Sequence, residues 1–224
     1  MDPDVIPLTS ADPDFPVFDQ IIQAMQDYMK DGYFSYSPSA GLPIFRSAIS
    51  SWYASEFNTT VNPDHILPVN SAAQALYIVA NTILAPGDQV IIPDPVDFLF
   101  RRSVQSVGAE VCPLHVSTED SSYDLLELEQ KIGPKTKAIY VCNPNNPLAL
   151  YQGEMHLNAL IKLAQKHDLW LISDEIWLDI HHGSPMKSIG DNIFDNYDKR
   201  IIISGLSKNF GLAGLRVGYI LTFT

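Results

Sequence analysis

The spacing of apolar positions changes repeatedly along the chain. Ile21, Ile22, Met25 and Met29 recur at helical spacing between Phe18 and Lys30, and Gly32 follows as a stop. A second helix opens near Leu42-Pro43, with proline at an early position, and is expected to bury Phe45, Ile49, Trp52 and Tyr53. Ile66–Val69 reads as a short strand. Ser71 then caps a helix that runs to Ala85 and is closed by Pro86-Gly87. The alternation continues with strands over Gln89–Pro93, Glu110–Val116, Ala138–Cys142, Leu169–Ser173 and Arg200–Ser204, and a last one within LRVGYIL. Helices over Phe98–Val107, Asp124–Ile132 and Glu154–His167 separate them.

The strands AIYVC, LWLIS and RIIIS lack polar alternation, so both of their faces are buried, as in a parallel sheet covered by helices. Strand following helix in this way predicts an α/β fold with right-handed crossovers. In such folds ligands lie beyond the carboxyl ends of the strands. Those ends are Asn70-Ser71, Asp94-Pro95, Asn143–Pro147, Asp174-Glu175 and Gly205–Lys208, and each carries polar or special residues.

Composition narrows the function classes. A chain of 224 residues, 46% hydrophobic and 18% charged, buries a core and is not intrinsically disordered. Its net charge of −12 repels phosphate backbones, so no nucleic-acid partner is expected. No apolar run approaches the roughly 18 residues of a membrane helix, and no membrane partner is expected. The first residues, MDPDVIPLTSADPDFP, lack the basic-then-apolar pattern of a signal peptide. Cys112 and Cys142 make neither a disulfide framework nor a zinc set, which points to a reduced, cytoplasmic location. His181-His182 read as loop residues, and Cys142 as a small core residue.

Individually, the candidate residues are ambiguous. Lys208 follows a buried strand in a Gly/Ser-rich turn, where a neutral amine can form a Schiff base; taken alone, it reads first as a surface lysine before a helix. Arg216 binds an anion or pairs with a local acid. Asp174 directly follows an apolar strand, a costly place for an acid unless it has a partner or caps a helix. Asn146 offers an amide to a ligand or stabilises its turn. The helix start at Ser71, Ala72 and Ala73 has free N–H groups that suit a phosphate, as nearly every helix start does. As a set, an amine, an acid, an amide and a phosphate-binding helix start are what pyridoxal 5'-phosphate requires.

Six segments in order carry a family resemblance: ADPDFP, YSPSAGLPIFRSAI, SAAQAL, NPNNPLA, SDEIWLD and SGLSKNFGLAGLRVGY. Asn146 and Asp174 are 28 residues apart, Asp174 and Lys208 34, and Lys208 and Arg216 8. The sequence resembles the fold-type I pyridoxal-phosphate enzymes, specifically the class I/II aminotransferases, over nearly its whole length. The resemblance implies an α/β, three-layer large domain with a central, mostly parallel sheet. Residues 1–40 would form an entry segment and helix, and 41–224 the cofactor-binding large domain. It implies that Lys208 forms the Schiff base and moves a proton, Asp174 pairs with the pyridine nitrogen, Asn146 bonds the ring hydroxyl, and Arg216 with the Ser71–Ala73 backbone binds phosphate. It further implies a homodimer in which Tyr36 reaches the neighbour's phosphate, with an amino acid and a 2-oxo acid as substrates.

The departures are specific. Trp177 stands where a tyrosine usually bonds the ring hydroxyl, and indole donates only through its ring N–H; a non-tyrosine there also fits a carbon–sulfur β-lyase. Asp97 aligns with a ring-stacking aromatic, leaving Phe98 to stack if the loop is shifted. Gly205 replaces a phosphate-binding serine, leaving Ser204 or Ser207 as substitutes. The family's small domain and carboxylate-binding arginine have no counterpart here, so an inactive or sensor fragment is a further alternative.

Overall fold

The computed structural model describes residues 4–6, 11–117, 122–183, 185–194 and 197–223. Seven strands form one sheet: β1 (Ile66–Val69), β2 (Gln89–Asp94), β3 (Glu110–His115), β4 (Thr136–Cys142), β5 (Trp170–Asp174), β6 (Arg200–Gly205) and β7 (Gly218–Thr222). Their order is β1-β7-β6-β5-β4-β2-β3. β3, β2, β4, β5 and β6 pair in parallel. β7 runs antiparallel to both of its neighbours, β6 and β1. The expected α/β fold with a mostly parallel sheet is therefore present.

The six α-helices are α1 (Asp19–Lys30), α2 (Pro43–Phe57), α3 (Ala72–Ile83), α4 (Phe98–Ser106), α5 (Leu125–Lys131) and α6 (Glu154–Lys166). Side chains alternate across each strand, and the helices divide between the two faces. Ile139 and Val141 of β4 pack with Tyr53 of α2, Leu128 of α5 and Leu160 of α6. Ala138, Tyr140 and Cys142 pack with Leu76 of α3 and Phe100 of α4. The result is three layers with a core on each side of the sheet. α2 buries Ile49 and Tyr53 as its pattern requires, with Phe45 and Trp52 half-buried. α1 buries none of its residues, so Met25, Tyr28 and Met29 form an exposed apolar stripe.

Two features of this frame set the site. The order of the sheet reverses between β2 and β4, because the chain moves outward from β2 to β3 and then returns to the other side of β2. The turns after β2 and β4 flank that reversal, where ligands of open α/β sheets bind. The second feature is the close approach of β7 to the start of α3. A Cβ on Gly218 would lie 2.6 Å from the Ser71 carbonyl carbon and 2.8 Å from the Ala72 nitrogen. Gly218→Ala is therefore expected to displace the helix start. It should cost about 1–3 kcal/mol of stability. Thermal melting checks this; a variant that melts like the wild type would show that the approach is not needed.

Candidate active site

One cavity of about 630 Å³ opens at the carboxyl ends of the strands. It brings together nine of the expected residues: Ser71, Ala72, Ala73, Asn146, Asp174, Trp177, Ser207, Lys208 and Arg216. They come from five separate turns of the chain.

The start of α3 supplies an anion site. The Ser71 hydroxyl accepts the Gln74 N–H at 3.1 Å, and Gln74 Oε1 accepts the Asn70 N–H at 2.8 Å. The first-turn N–H groups of Ala72 and Ala73 have no acceptor within the helix, and the helix dipole favours an anion there. Ser71 uses its oxygen as acceptor and so keeps its O–H to donate. Arg216 lies across the same cavity in left-handed backbone, φ 57° and ψ 55°, with its guanidinium donating to the Ala213 carbonyl at 2.9 Å. That conformation costs a non-glycine residue on the order of 1 kcal/mol.

Asp174 ends β5 on the cavity floor, and its side chain is buried. Its Oδ1 accepts the Ile176 N–H at 3.1 Å. Burial pushes this carboxyl up to about 7, opposed by the Ile176 bond and helped by the charge of Asp97. Among the described residues it makes no salt bridge. A buried acid without a cation is unfavourable when charged, so the floor is suited to a ligand that brings a positive charge. The ordinary alternative for Asp174, a helix cap, is met only by a short turn, since no helix follows β5 directly.

Lys208 is the lysine on the cavity wall. Its Nζ donates to the Ala11 carbonyl at 2.9 Å, lies 3.6 Å from Asp12 Oδ1, and stands 5.1 Å from the centroid of the Trp177 ring. The ADPDFP segment thus closes over the amine. Residue patterns alone did not reveal that contact, although the family resemblance marked the segment. Trp177 meets the lysine with its ring face as a cation–π contact. Cys142 also lines the cavity, from the end of β4, and so is more than the core residue expected.

Three expected residues lie elsewhere. Ser204 sits on β6 with its side chain on the opposite face of the sheet, its hydroxyl 3.5 Å from the Glu175 carbonyl. Strand alternation removes it from the cavity, and Ser207, just past the strand, takes the place. Phe98 is exposed, with the Arg102 guanidinium 4.8 Å from its ring centroid. Asp97 caps α4 and enters the cavity, which turns Phe98 outward. Tyr36 is fully exposed and outside the cavity. Among the described residues, no group of histidine, cysteine and acidic side chains is arranged to hold a metal ion.

Comparison with known proteins places the sequence and the fold. The sequence profile of the family "Aminotransferase class I and II" matches residues 3–224. The aspartate aminotransferase of Thermotoga maritima is 29% identical over 220 residues, which cover 98% of this chain and 58% of the relative. The aspartate/prephenate aminotransferase of Thermus thermophilus is 31% identical over 222 residues, 96% of this chain and 56% of the relative. The crystal structure of the Thermotoga enzyme superposes with a TM-score of 0.93 at 29% identity, over 98% of this chain and 58% of that one. The chain thus spans little more than half the length of these relatives. With the family profile matched almost from end to end, on the fold and cavity just described, the chain belongs to the class I and II aminotransferase family.

Proposed function

We propose that this chain is the cofactor-holding part of a pyridoxal 5'-phosphate-dependent aminotransferase, which moves an amino group between an amino acid and a 2-oxo acid. Members of this family use pyridoxal 5'-phosphate. The observation that carries the proposal is the buried, cation-less Asp174 on the floor of a cavity whose walls hold Lys208 and the α3 start. These donors fit the cofactor: N–H groups and a guanidinium for its phosphate, an acid for its ring nitrogen, and an amine for its aldehyde.

Bound there, the cofactor supplies an electron sink that allows the α-carbon of an amino acid to lose its proton. Asp174 keeps a proton on the ring nitrogen, since its carboxylate gains the cation that the buried floor lacks. Ala72 and Ala73 donate backbone N–H groups to phosphate oxygens, joined by the Ser71 and Ser207 hydroxyls and Arg216. Asn146 donates its amide to the ring oxygen. Lys208 would hold the cofactor's aldehyde and, with its amine free when the substrate's amine takes that place, would move the proton as general base and acid. Leu99, Phe100 and Ile176 line the remaining wall and exclude water. Tyr36, with its exposed ring, is assigned to the phosphate of a second copy in a homodimer.

The test is spectroscopic. Pyridoxal 5'-phosphate added to the chain should produce a visible absorption band. An amino acid should bleach the band and a 2-oxo acid restore it; aspartate comes first because relatives are named for it. A band that an amino acid never bleaches would sink amino-group transfer. Trp177 favours a second reading, β-elimination at the same cofactor, because it brings no hydroxyl to the ring. Pyruvate and ammonia formed without any added 2-oxo acid would establish that alternative.

A further inference from the structure

Asp97 is an acid on the wall of a cavity whose floor already holds Asp174, and the proposed function gives it no task. It sits in the turn after β2 as the N-cap of α4, where its Oδ1 accepts the Leu99 N–H at 2.9 Å. Its Oδ2 accepts from Asn146 Nδ2 at 3.2 Å. Beside it, Asn145 Nδ2 donates to the Pro95 carbonyl at 3.2 Å. These two bonds tie the turn after β2 to the turn after β4, across the point where the order of the sheet reverses.

The chemistry of the pair fixes an orientation. A carboxylate only accepts, so Asn146 must face it with nitrogen; the flipped amide would set oxygen against oxygen. One N–H of Asn146 is committed to Asp97, and the second N–H is left for a ligand. Among the described residues no lysine or arginine forms a salt bridge with Asp97, so its charge acts on the cavity. The field reaches the floor, where it contributes to the upward shifts of Asp174 and Cys142.

We propose that Asp97 is a positioning residue for the cofactor ring. It locks the Asn146 amide with a donor toward the ring oxygen, and its negative charge holds the proton shared between that oxygen and the Lys208 nitrogen up to higher pH. The inference rests on the cofactor assignment above and concerns a residue that stands where an aromatic side chain was expected.

Visible spectra of the full chain with pyridoxal 5'-phosphate, recorded across the neutral pH range, test it. Asp97→Asn keeps an acceptor for Asn146 and an equally good helix cap but removes the charge. Its absorbance change should titrate lower than wild type by about one pH unit or more, the effect of a charge at close range. Asp97→Ala removes the acceptor as well, and should also bind the cofactor several-fold more weakly. Thermal melts of both variants report on folding. A wild-type band with both variants titrating at the wild-type midpoint would overturn the role of Asp97 alone. A wild-type chain that gives no band overturns the cofactor assignment, and this inference with it.

Discussion

Lys208→Ala is expected to abolish covalent trapping of pyridoxal 5'-phosphate while leaving the fold intact. The wild-type chain, treated with the cofactor and then borohydride, should gain the mass of one reduced cofactor on the peptide containing Lys208. The variant should gain none there. The expectation rests on position: Lys208 is the lysine on the cavity wall, placed after β6 and held at 2.9 Å by the Ala11 carbonyl. Stability should change little. Nζ lies 3.6 Å from an Asp12 carboxylate that is itself 61% exposed, and exposed pairs contribute about 0–1 kcal/mol. A melting temperature within a few degrees of wild type, together with the missing label, separates chemistry from folding. Label on another lysine, or undiminished label in the variant, would remove Lys208 from its role.

Asp174→Asn should produce a variant that is more stable without cofactor at alkaline pH, yet defective with it. Burial lifts the Asp174 carboxyl from 3.8 to about 7, and Glu175, buried behind it, from 4.5 to about 7. Both folded-state values lie above the unfolded ones. The folded chain therefore holds protons that the unfolded chain has released, and stability falls as pH rises from about 4 to about 7. In cofactor-free protein the melting temperature should drop across that window. Asparagine carries no charge and preserves an acceptor for the Ile176 N–H, so the drop should shrink. At the upper bound set by three pH units, the gain is about 4 kcal/mol, which corresponds to several degrees. With cofactor the order reverses, because the variant has no charge to pair with the ring nitrogen. Bleaching of the visible band by an amino acid should slow at least about 100-fold, in the range lost with a single electrostatic stabiliser. Melts at two pH values and one rate measurement decide the matter. A variant with an unaltered pH slope would show that Asp174 is not the charge that the fold resists.

Much of this architecture was legible because burial leaves a simple mark. AIYVC and LWLIS hold no polar alternation, and each became a central parallel strand with cores on both faces. The polar residues at the strand ends converged because the sheet turns sequence distance into proximity. The pairing of β7 was not legible. LRVGYIL has the same apolar pattern whichever way it runs, and its neighbours β1 and β6 are set by long-range packing. Ser204 and Phe98 were misplaced by a single step of local geometry. β6 extends through Gly205, which puts Ser204 on the face of Ile202 and Arg200, away from the cavity. Asp97 as N-cap takes the inward position before α4, and rotation along the helix then buries Phe100 rather than Phe98. The second error could have been avoided, since aspartate immediately before a helix is a strong capping signal.

The insertion of β7 between β1 and β6 has a consequence for biogenesis. A chain leaves the ribosome from its N-terminus, and each segment pairs with what has already emerged. β1 and α3 are released early, but the neighbour that props the α3 start is the strand reaching Thr222. Until that strand docks, the nascent chain has a gap in its sheet and the α3 start lacks its support. The α3 start therefore reaches its final position only after translation has passed residue 222, and a ligand that needs this helix start cannot help the earlier strands to assemble.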